Sequence, residues 1–474
     1  MRNLMLAFML ALLGAGCTLG PDYVRPDLDV PAAWRVDDVE SRNLADTAWW
    51  GQFGDPVLSG LIDTALRENK DLLIATARIE EFEGRYGIVR ADLFPQVGAG
   101  ASYTREQVTR QGENKPAPGF ATLTETYSTT LNAAWEIDLW GRIRRSTEAA
   151  RAQLLATEEA RRGVILTLVG DVASAYVNLR GLDRQLEIAR NTVRSREESY
   201  RIFQERYDGG IISLLELTQN RSQYEEALAS IPPIEKAIVQ QENGLSVLLG
   251  RNPGPIPRGL PIDGLVVPAV VAGLPSDLLE RRPDIGQAEQ ALIAANAQIG
   301  VAKAAYFPAI SLTGIFGFAS EDLTDLFRDS AQVWSYSAPV TMPIFTAGKI
   351  AGSVKAAEAI QRQALAAYRQ AVQNAFREVN DALEDQKQTG RQLAAQDRQV
   401  ASLRQYDEVA RLRYDEGYTD FLTVLDAERS LFNAELSFTQ TRVALHRAMI
   451  GLYKAMGGGW MQAAGQSSGP EAVQ

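Results

Sequence analysis

Apolar and polar residues alternate strictly between Tyr127 and Leu139, a pattern that is typical of a β-strand with one apolar face. The apolar series is Tyr127, Thr129, Leu131, Ala133, Trp135, Ile137 and Leu139, and the other face carries Ser128, Thr130, Asn132, Ala134, Glu136 and Asp138. The second half of the chain has two further apolar series, Ile310, Leu312, Phe316 and Phe318, and Trp334, Tyr336, Val340, Met342 and Ile344. The pattern predicts two strands in each half.

Helical patterns flank each predicted pair of strands. A helix is predicted before each pair, from Leu58 to Asp92 and from Asp277 to Ala305, and each ends near a Phe-Pro pair, where the residue before proline is extended. After the strands, long proline-free stretches predict helices from Ile143 to Tyr207 and from Ile350 to Tyr414. Each would be about 100 Å long at 1.5 Å per residue, which favours coiled-coil packing. Turns at Gly210 and Gly417 then lead into return helices that end near Leu249 and Met456.

The order of these patterns repeats, and so do short stretches of sequence within it. The matching stretches are GIVRADLFPQV from Gly87 with GVAKAAYFPAI from Gly300, LWGRI from Leu139 with TAGKI from Thr346, and RYDGGIISLLEL from Arg206 with RYDEGYTDFLTV from Arg413. Their constant order predicts a tandem duplication. The first structural repeat is predicted at 58–260 and the second at 261–460, with a flexible C-terminal tail at 461–474.

Four strands in one chain pose a problem if their apolar faces meet lipid. No stretch of about 20 apolar residues follows the N-terminal segment, so the chain could cross a bilayer only as a closed barrel. Four strands cannot close a spanning barrel, whereas a dimer supplies eight strands and a trimer twelve. The pattern alone does not choose between these assemblies, and a soluble antiparallel sheet remains the alternative.

The N-terminus has the pattern of a targeting segment. Arg2 is followed by an apolar run from Leu4 to Leu13 and by three small residues, and Cys17 comes next. This arrangement resembles a bacterial lipobox, although Gly14 stands where an aliphatic residue is usual. We therefore predict a signal peptide at 1–16 and a lipidated N-terminal segment at 17–57 with an acyl anchor on Cys17. An ordinary secretory signal beside an incidental cysteine is the alternative.

Composition narrows the function. The net charge of −11 argues against a nucleic-acid partner. Cys17 and His446 are the only residues of their types, which excludes an intramolecular disulfide and any metal site built from several of them. We predict a structural role for His446. No nucleophile elbow or phosphate-binding loop is present, so neither an enzyme, a catalytic residue nor a cofactor is predicted, apart from the covalent lipid.

Five motifs carry a resemblance to a known family. They are CTLGPDYVRP from Cys17, WWGQFGDPVL from Trp49, LLERRPDIGQAE from Leu278, MPIFTAGKI from Met342 and LYKAMGGGW from Leu452. In this order and over nearly the whole mature chain, they resemble the TolC-type outer-membrane factors, in the lipoprotein branch that includes OprM.

The resemblance implies a mixed α/β membrane protein that works as a homotrimer. Twelve strands would form a β-barrel among the lipids of the bacterial outer membrane, continuous with a long periplasmic α-helical barrel packed like a coiled coil. Such a channel is the passive exit duct of a tripartite efflux system for drugs or other toxic small molecules. Its partners would be a periplasmic adaptor protein and an inner-membrane transporter of the resistance-nodulation-division type. A pore-less periplasmic scaffold and a metal-ion exit duct are the alternatives.

The resemblance also assigns roles to single residues. Leu422 and Asp426, four residues apart on one helix face, match hydrophobic and acidic rings of a periplasmic gate. Tyr414 and Glu216 match a network that ties the gate shut, but the usual arginine partner is replaced by Thr419. The alternative places Leu422 in a core and leaves Asp426 on a solvated surface.

The strand pattern adds expectations for the sheet and its loops. Glu136 and Asp138 are predicted to face the lumen of the barrel. The loops at 109–119 and 320–331 are predicted to lie outside the cell.

Overall fold

The computed structural model describes residues 18–28, 30–31, 34, 49–109, 111, 117, 121–267, 276 and 278–458. The predicted signal peptide, the acylation site Cys17 and the predicted tail at 461–474 lie outside these residues. So does most of the loop predicted at 109–119.

Helices and strands follow one another in an order that repeats once. The first half contains α1 (Pro56–Glu68), α2 (Lys70–Ala91), β1 (Gln96–Gln107), β2 (Leu123–Ile137), α3 (Arg142–Asp208) and α4 (Leu214–Leu248). The second half contains α5 (Leu278–Arg281), α6 (Pro283–Ala304), β3 (Ala309–Ser320), β4 (Gln332–Ser337), β5 (Val340–Thr341), α7 (Lys349–Asp415) and α8 (Phe421–Ala455). Short 3₁₀ turns lie at Trp49–Phe53, Ile262–Gly264, Leu323–Asp325 and Asp329–Ala331. The predicted long helices and return helices are confirmed.

The first predicted helix of each half is wrong as a single helix, because each is divided in two. Asn69 separates α1 from α2 with an extended backbone (φ −61°, ψ 132°). Its side-chain amide donates to Leu248 O at 2.9 Å, and its carbonyl accepts from the backbone N–H of Leu72 at 3.0 Å. In the second half, Pro283 disfavours helical geometry at Arg282, so α5 ends and α6 begins there. Each break depends on the chemistry of a single residue, which apolar periodicity does not reveal.

The strands form one antiparallel sheet in the order β1-β2-β3-β4, and β5 also pairs with β3. The β2–β3 ladder, from Tyr127 opposite Ser320 to Ile137 opposite Ile310, joins the two halves of the chain. The predicted fourth strand is present but interrupted between β4 and β5 at Pro339, which has no N–H to donate. Both pieces keep the same register on β3, with Ser337 opposite Thr313 and Thr341 opposite Ala309.

The register confirms the predicted division of the sheet into an apolar and a polar face. Residues directly opposite each other project from the same face. Leu131 lies opposite Phe316, which lies opposite Trp334 on the next strand. Leu131 is 53% exposed and Trp334 is 66% exposed, so none of the described residues covers this part of the apolar face. None of the described helices is both long and apolar enough to traverse a lipid bilayer.

The described residues form two compact units. The first draws on the described residues within 1–27, 78–157 and 287–368, and the second on those within 28–77, 158–286 and 369–474. The helices α3 and α7, at 67 residues each, contribute to both units.

In the first unit, an N-terminal strap of residues 18–25 lies against α3 and α6. The N–H of Leu19 donates to Trp140 O at 3.1 Å, just before α3 begins. Arg145 pairs with Asp22 at 2.5 Å, and Tyr23 donates to Glu289 at 3.0 Å. The strap is therefore fixed by partners from both halves of the chain, beginning at the corner between β2 and α3.

In the second unit, a buried carboxylate holds the linker between the halves. Asp55 accepts hydrogen bonds from the Tyr176 hydroxyl at 2.7 Å and from the N–H of Leu260 at 3.0 Å. It also caps α1 through the N–H of Val57 at 2.8 Å. The Tyr176 hydroxyl in turn accepts from the N–H of Gly259 at 2.9 Å. The proline-rich segment thus gains the backbone partners that its own conformation cannot supply.

The structural role predicted for His446 is confirmed. Its side chain is 1% exposed, its ring lies 5.8 Å from that of Phe53, and Nδ1 lies 2.9 Å from Arg442 O. Burial lowers the pKa of the imidazole below its ordinary value, because a charged ring would lose its hydration there.

His446 should therefore make the folded state sensitive to mild acid. Because its pKa is lower in the folded than in the unfolded chain, stability is retained above about pH 6.5 and is lost as the pH falls below that value. The loss is at most about 1.4 kcal/mol per pH unit. Thermal unfolding in detergent between pH 7.5 and 5.5 measures it, and His446→Gln should flatten the pH dependence. An unchanged slope in that variant would assign the effect to carboxylates.

Candidate functional site

The candidate site lies at the two turns that join the long helices to the return helices. Gly210 and Gly417 adopt left-handed φ angles of 72° and 77°, as the turn after a helix requires. In both turns the N–H of the next residue returns to the helix, from Ile211 to Arg206 O at 2.9 Å and from Tyr418 to Arg413 O at 2.8 Å. The two predicted turns are confirmed and have the same closing hydrogen bonds.

Each return helix begins with a side-chain cap. Ser213 and Glu216 form a reciprocal capping box at the start of α4, with Ser213 N–H donating to the Glu216 carboxylate at 2.8 Å. That hydrogen bond lowers the pKa of Glu216. Asp420 caps α8 by accepting from the N–H of Thr423 at 3.1 Å, and Thr419 donates to the Thr423 hydroxyl at 3.0 Å. Glu216 is therefore engaged within its own helix.

Tyr414 joins α7 to α3, but through a residue that the sequence did not indicate. Arg206 donates to its hydroxyl at 3.4 Å. Burial raises the pKa of Tyr414, and the nearby Glu216 carboxylate adds to the increase. Arg206 and Arg413 begin the two copies of the RYD motif, and that repeat was the signal that could have drawn attention to Arg206.

A buried aromatic cluster holds the ends of the four helices together. The rings of Phe203 and Phe421 are 4.1 Å apart, and Tyr414 lies 5.1 Å from Phe421. The buried members of this cluster are Phe203, Leu217, Ala410, Phe421, Val424, Leu425 and Ala427. The turns are thus supported by an apolar core that α3, α4, α7 and α8 all supply.

Leu422 and Asp426 lie outside this core. Leu422 is 60% exposed, so the alternative that it is a core residue does not hold within one copy of the chain. Asp426 is half-buried and accepts from Arg429 at 2.9 Å. Both line a groove of about 560 Å³ between α4 and α8. Gln219, Ser222, Gln223, Tyr406, Asp420, Thr423, Leu425 and Arg429 complete the lining.

A charged cluster that sequence analysis missed lies beside the same helices. Glu428 on α8 pairs with Arg411 at 2.7 Å, and Arg411 also pairs with Asp407 at 3.1 Å. Burial raises the pKa of Glu428 and lowers that of Arg196, which donates to the backbone of α4 at Gln223 O, 2.7 Å away. Arg196 precedes Phe203 by seven residues, which places both on the same face of α3. A charged residue on the apolar face of a long helix was therefore the feature of the sequence that could have indicated this cluster.

Glu136 and Asp138 hold the corner between β2 and α3. Arg142 pairs with both oxygens of Glu136, at 2.9 and 2.7 Å. Asp138 accepts from the backbone N–H groups of Ile143 and Arg144 at 3.1 and 2.8 Å, which caps α3. These contacts give both carboxylates a structural role, and their orientation toward a lumen stays a prediction.

Comparison with known proteins identifies the fold. The family model "Outer membrane efflux protein" matches residues 61–251 and 274–458, one segment in each half. The chain belongs to the outer membrane efflux protein family. It is an efflux channel of the outer membrane, so the prediction that it is not an enzyme is confirmed by its family.

Similar proteins match along almost their whole length. A Pseudomonas putida protein named "Probable efflux pump outer membrane protein TtgC" is 37% identical over 481 residues, covering 100% of this chain and 99% of that protein. The Escherichia coli "Cation efflux system protein CusC" is 38% identical over 464 residues, covering 97% and 99%. The Neisseria gonorrhoeae outer membrane channel MtrE, solved in an open state, superposes with a TM-score of 0.84 at 32% identity, covering 94% and 99%.

The aromatic cluster should decide whether the two turns stay folded. Phe203→Ala should cost about 3–5 kcal/mol locally, because it opens a cavity beside Phe421 and Tyr414. Hydrogen exchange should then accelerate in the turns of both halves. Leu412→Ala is the matched control, since its side chain is 61% exposed and its removal leaves no cavity. Equal exchange in the two variants would show that the cluster does not hold the turns.

Proposed function

We propose that three copies of this chain assemble into one exit duct, in which twelve strands close a β-barrel within the outer membrane. The observation that carries the proposal is the sheet, in which β4 and β5 are two pieces of one fourth position. Its edges, β1 and β4–β5, have no partner strand among the described residues, and one of its faces is apolar and exposed. Unpaired backbone groups in lipid cost several kcal/mol each, so the edges need partners from other copies. The solved relative described as an outer membrane channel supports a duct across that membrane.

The long helices would continue the duct through the periplasm. The hairpins of the two halves match in length, with 67 residues in α3 and α7 and 35 in α4 and α8. This match supports the tandem duplication and gives each copy two nearly equivalent helical hairpins. Three copies supply twelve helices for a tunnel wall packed like a coiled coil.

The cargo and partners follow from the family. We infer that the duct passively releases drugs or other toxic small molecules delivered by a periplasmic adaptor and an inner-membrane transporter of the resistance-nodulation-division type. Relatives named for antibiotic and solvent efflux support this cargo. The relative named for cation efflux keeps metal ions as the alternative. Deleting the gene and measuring resistance to solvents, antibiotics and copper or silver salts separates the two.

The apolar sheet face should meet lipid. Leu131→Arg should destabilise the assembled protein by about 2–4 kcal/mol if the residue lies near the bilayer midplane. Asn132→Arg, one residue away on the opposite face, is the matched control and should be mild. Heat-induced dissociation of the trimer on a gel measures both. Similar losses in the two variants would argue against the lipid assignment.

Lipidation of Cys17 would add an anchor at the base of this sheet. The strap supports the proposal, because its first described residue, Thr18, packs against Gly141, where an added Cβ would approach the Thr18 Cα to 2.9 Å. An acyl chain contributes about 0.8 kcal/mol of membrane affinity per buried CH₂.

Intact mass spectrometry tests the anchor. The mature chain should begin at Cys17 and carry acyl groups, and Cys17→Ser should carry none. Lipid on the Cys17→Ser protein would contradict the assignment.

Leu422 and Asp426 are proposed as the periplasmic gate, with Tyr414 and Glu216 in the supporting network. The exposure of Leu422 beside the groove supports this, because the side chain is free to meet its copies around a threefold axis. A ring of leucines restricts passage by narrowing and dewetting the pore. A ring of aspartates favours bound cations, since the carboxylates repel one another.

Removing both rings should open the channel. Leu422→Ala with Asp426→Ala should raise single-channel conductance in planar bilayers and sensitise cells to large antibiotics such as vancomycin. Leu73→Ala, an exposed leucine on α2, is the control and should leave conductance unchanged. Wild-type conductance from a correctly assembled double variant would remove the gate from these residues.

A further inference from the structure

The trimer proposed above leaves one detail undetermined, namely how the edge strands of neighbouring copies pair. Within the part of the chain that the structure describes, the sheet has two open edges, β1 on one side and β4–β5 on the other. Several antiparallel registers would join them, and each places different residues opposite one another. The internal repeat of the chain selects one.

The correspondence between the halves is fixed by the strand ladders. The first residue of β3, Ala309, lies 213 positions after the first residue of β1, Gln96, and both strands have 12 residues. Gln96 lies opposite Ala134, and Ala309 lies opposite Thr341. Thr341 therefore corresponds to Ala134, 207 positions earlier. The same 207 positions separate the start of α7, Lys349, from the start of α3, Arg142.

The β2–β3 ladder is a junction between the halves that the structure shows directly. Within it, Thr130 lies opposite Gly317. Thr130 corresponds to Ser337, and Gly317 corresponds to Thr104. We propose that β4–β5 of one copy pairs antiparallel with β1 of the next copy in the register that sets Ser337 opposite Thr104. The proposal rests on the trimeric barrel and specifies its joints.

Backbone direction provides an independent check. The N–H of Ser311 donates to Pro339 O at 3.2 Å, so odd-numbered residues of β4–β5 turn their backbone groups toward β3. The N–H of Val108 donates to Thr122 O at 2.7 Å, so even-numbered residues of β1 face β2. The open edges therefore present even-numbered residues of β4–β5 and odd-numbered residues of β1. The proposed register pairs these two sets, for example Val340 with Ala101.

The proline of the last strand agrees with this joint. Pro339 has an odd number, so its missing donor lies on the side of β3. Pro339 accordingly interrupts the ladder inside the chain, between β4 and β5. No proline from 332 to 341 removes a donor from the outer edge, which is the edge that a neighbouring copy would need complete.

Side-chain chemistry also fits. The register places Val340 opposite Ala101, which extends the apolar face across the joint. Val340 is 63% exposed in the single chain. Ser337 and Thr104 fall on the polar face. If the register were displaced by one residue, the apolar face of one strand would lie beside the polar face of its neighbour along the whole joint.

Engineered disulfides test the register in the full-length protein. Ser337 and Thr104 would form a non-hydrogen-bonded pair, whose Cα atoms lie about 4.5 Å apart, close enough for a disulfide. The key variant combines Ser337→Cys with Thr104→Cys. Two matched variants combine Ser337→Cys with Ser102→Cys or with Glu106→Cys and report registers displaced by two residues. Single-cysteine variants control for Cys17.

Mild oxidation of the purified proteins, followed by denaturing non-reducing electrophoresis, reads the result. The Ser337–Thr104 variant should form covalent dimers and trimers at least about tenfold more than either displaced pair, since diagonal neighbours lie about 7–8 Å apart. Native mass spectrometry establishes whether the variants form trimers. If they do, preferential cross-linking of a displaced pair, or no cross-linking in any variant, would overturn the register. Monomers in wild-type protein would instead refute the trimer.

Discussion

The hydrogen-bonded ladder between β2 and β3 is the contact on which the architecture of the first unit depends. It joins the last strand of one half to the first strand of the other, from Tyr127 opposite Ser320 to Ile137 opposite Ile310. Without it each half would hold an isolated pair of strands, which is marginally stable at best. With it, the chain presents a single sheet with one continuous apolar face. The long helices leave this sheet from β2 and from β5, so the ladder also determines where they begin.

Much of the fold was predictable because its periods are long and regular. Strict alternation from Tyr127 to Leu139 identified β2 and its two faces, and the proline-free stretches identified α3 and α7. The predictions of single helices were wrong where one residue determines that the helix is interrupted. Asn69 interrupts a helix because its amide serves two backbone groups, one of them distant in sequence at Leu248. Such long-range partners leave no periodic trace in the sequence.

The candidate site was predicted less completely than the fold. Family resemblance pointed to Leu422 and Asp426, and the exposed position of Leu422 is compatible with that role. For Glu216, the local pattern Ser-x-x-Glu from Ser213 was readable as a capping box, and this is the contact that the structure shows. Arg196 and Glu428 were missed because a buried charged side chain looks, in sequence, like ordinary surface charge on a helix.

The strap at residues 18–25 has a consequence for the order of folding. Tyr23 and its partner Glu289 are 266 positions apart, so a ribosome must complete more than half of the chain before they can meet. Closing so large a loop is entropically costly, and it becomes favourable once α3 and α6 are already in place. The segment synthesised early is thus among the last to dock. Strap docking would mark a chain whose two halves have already come together.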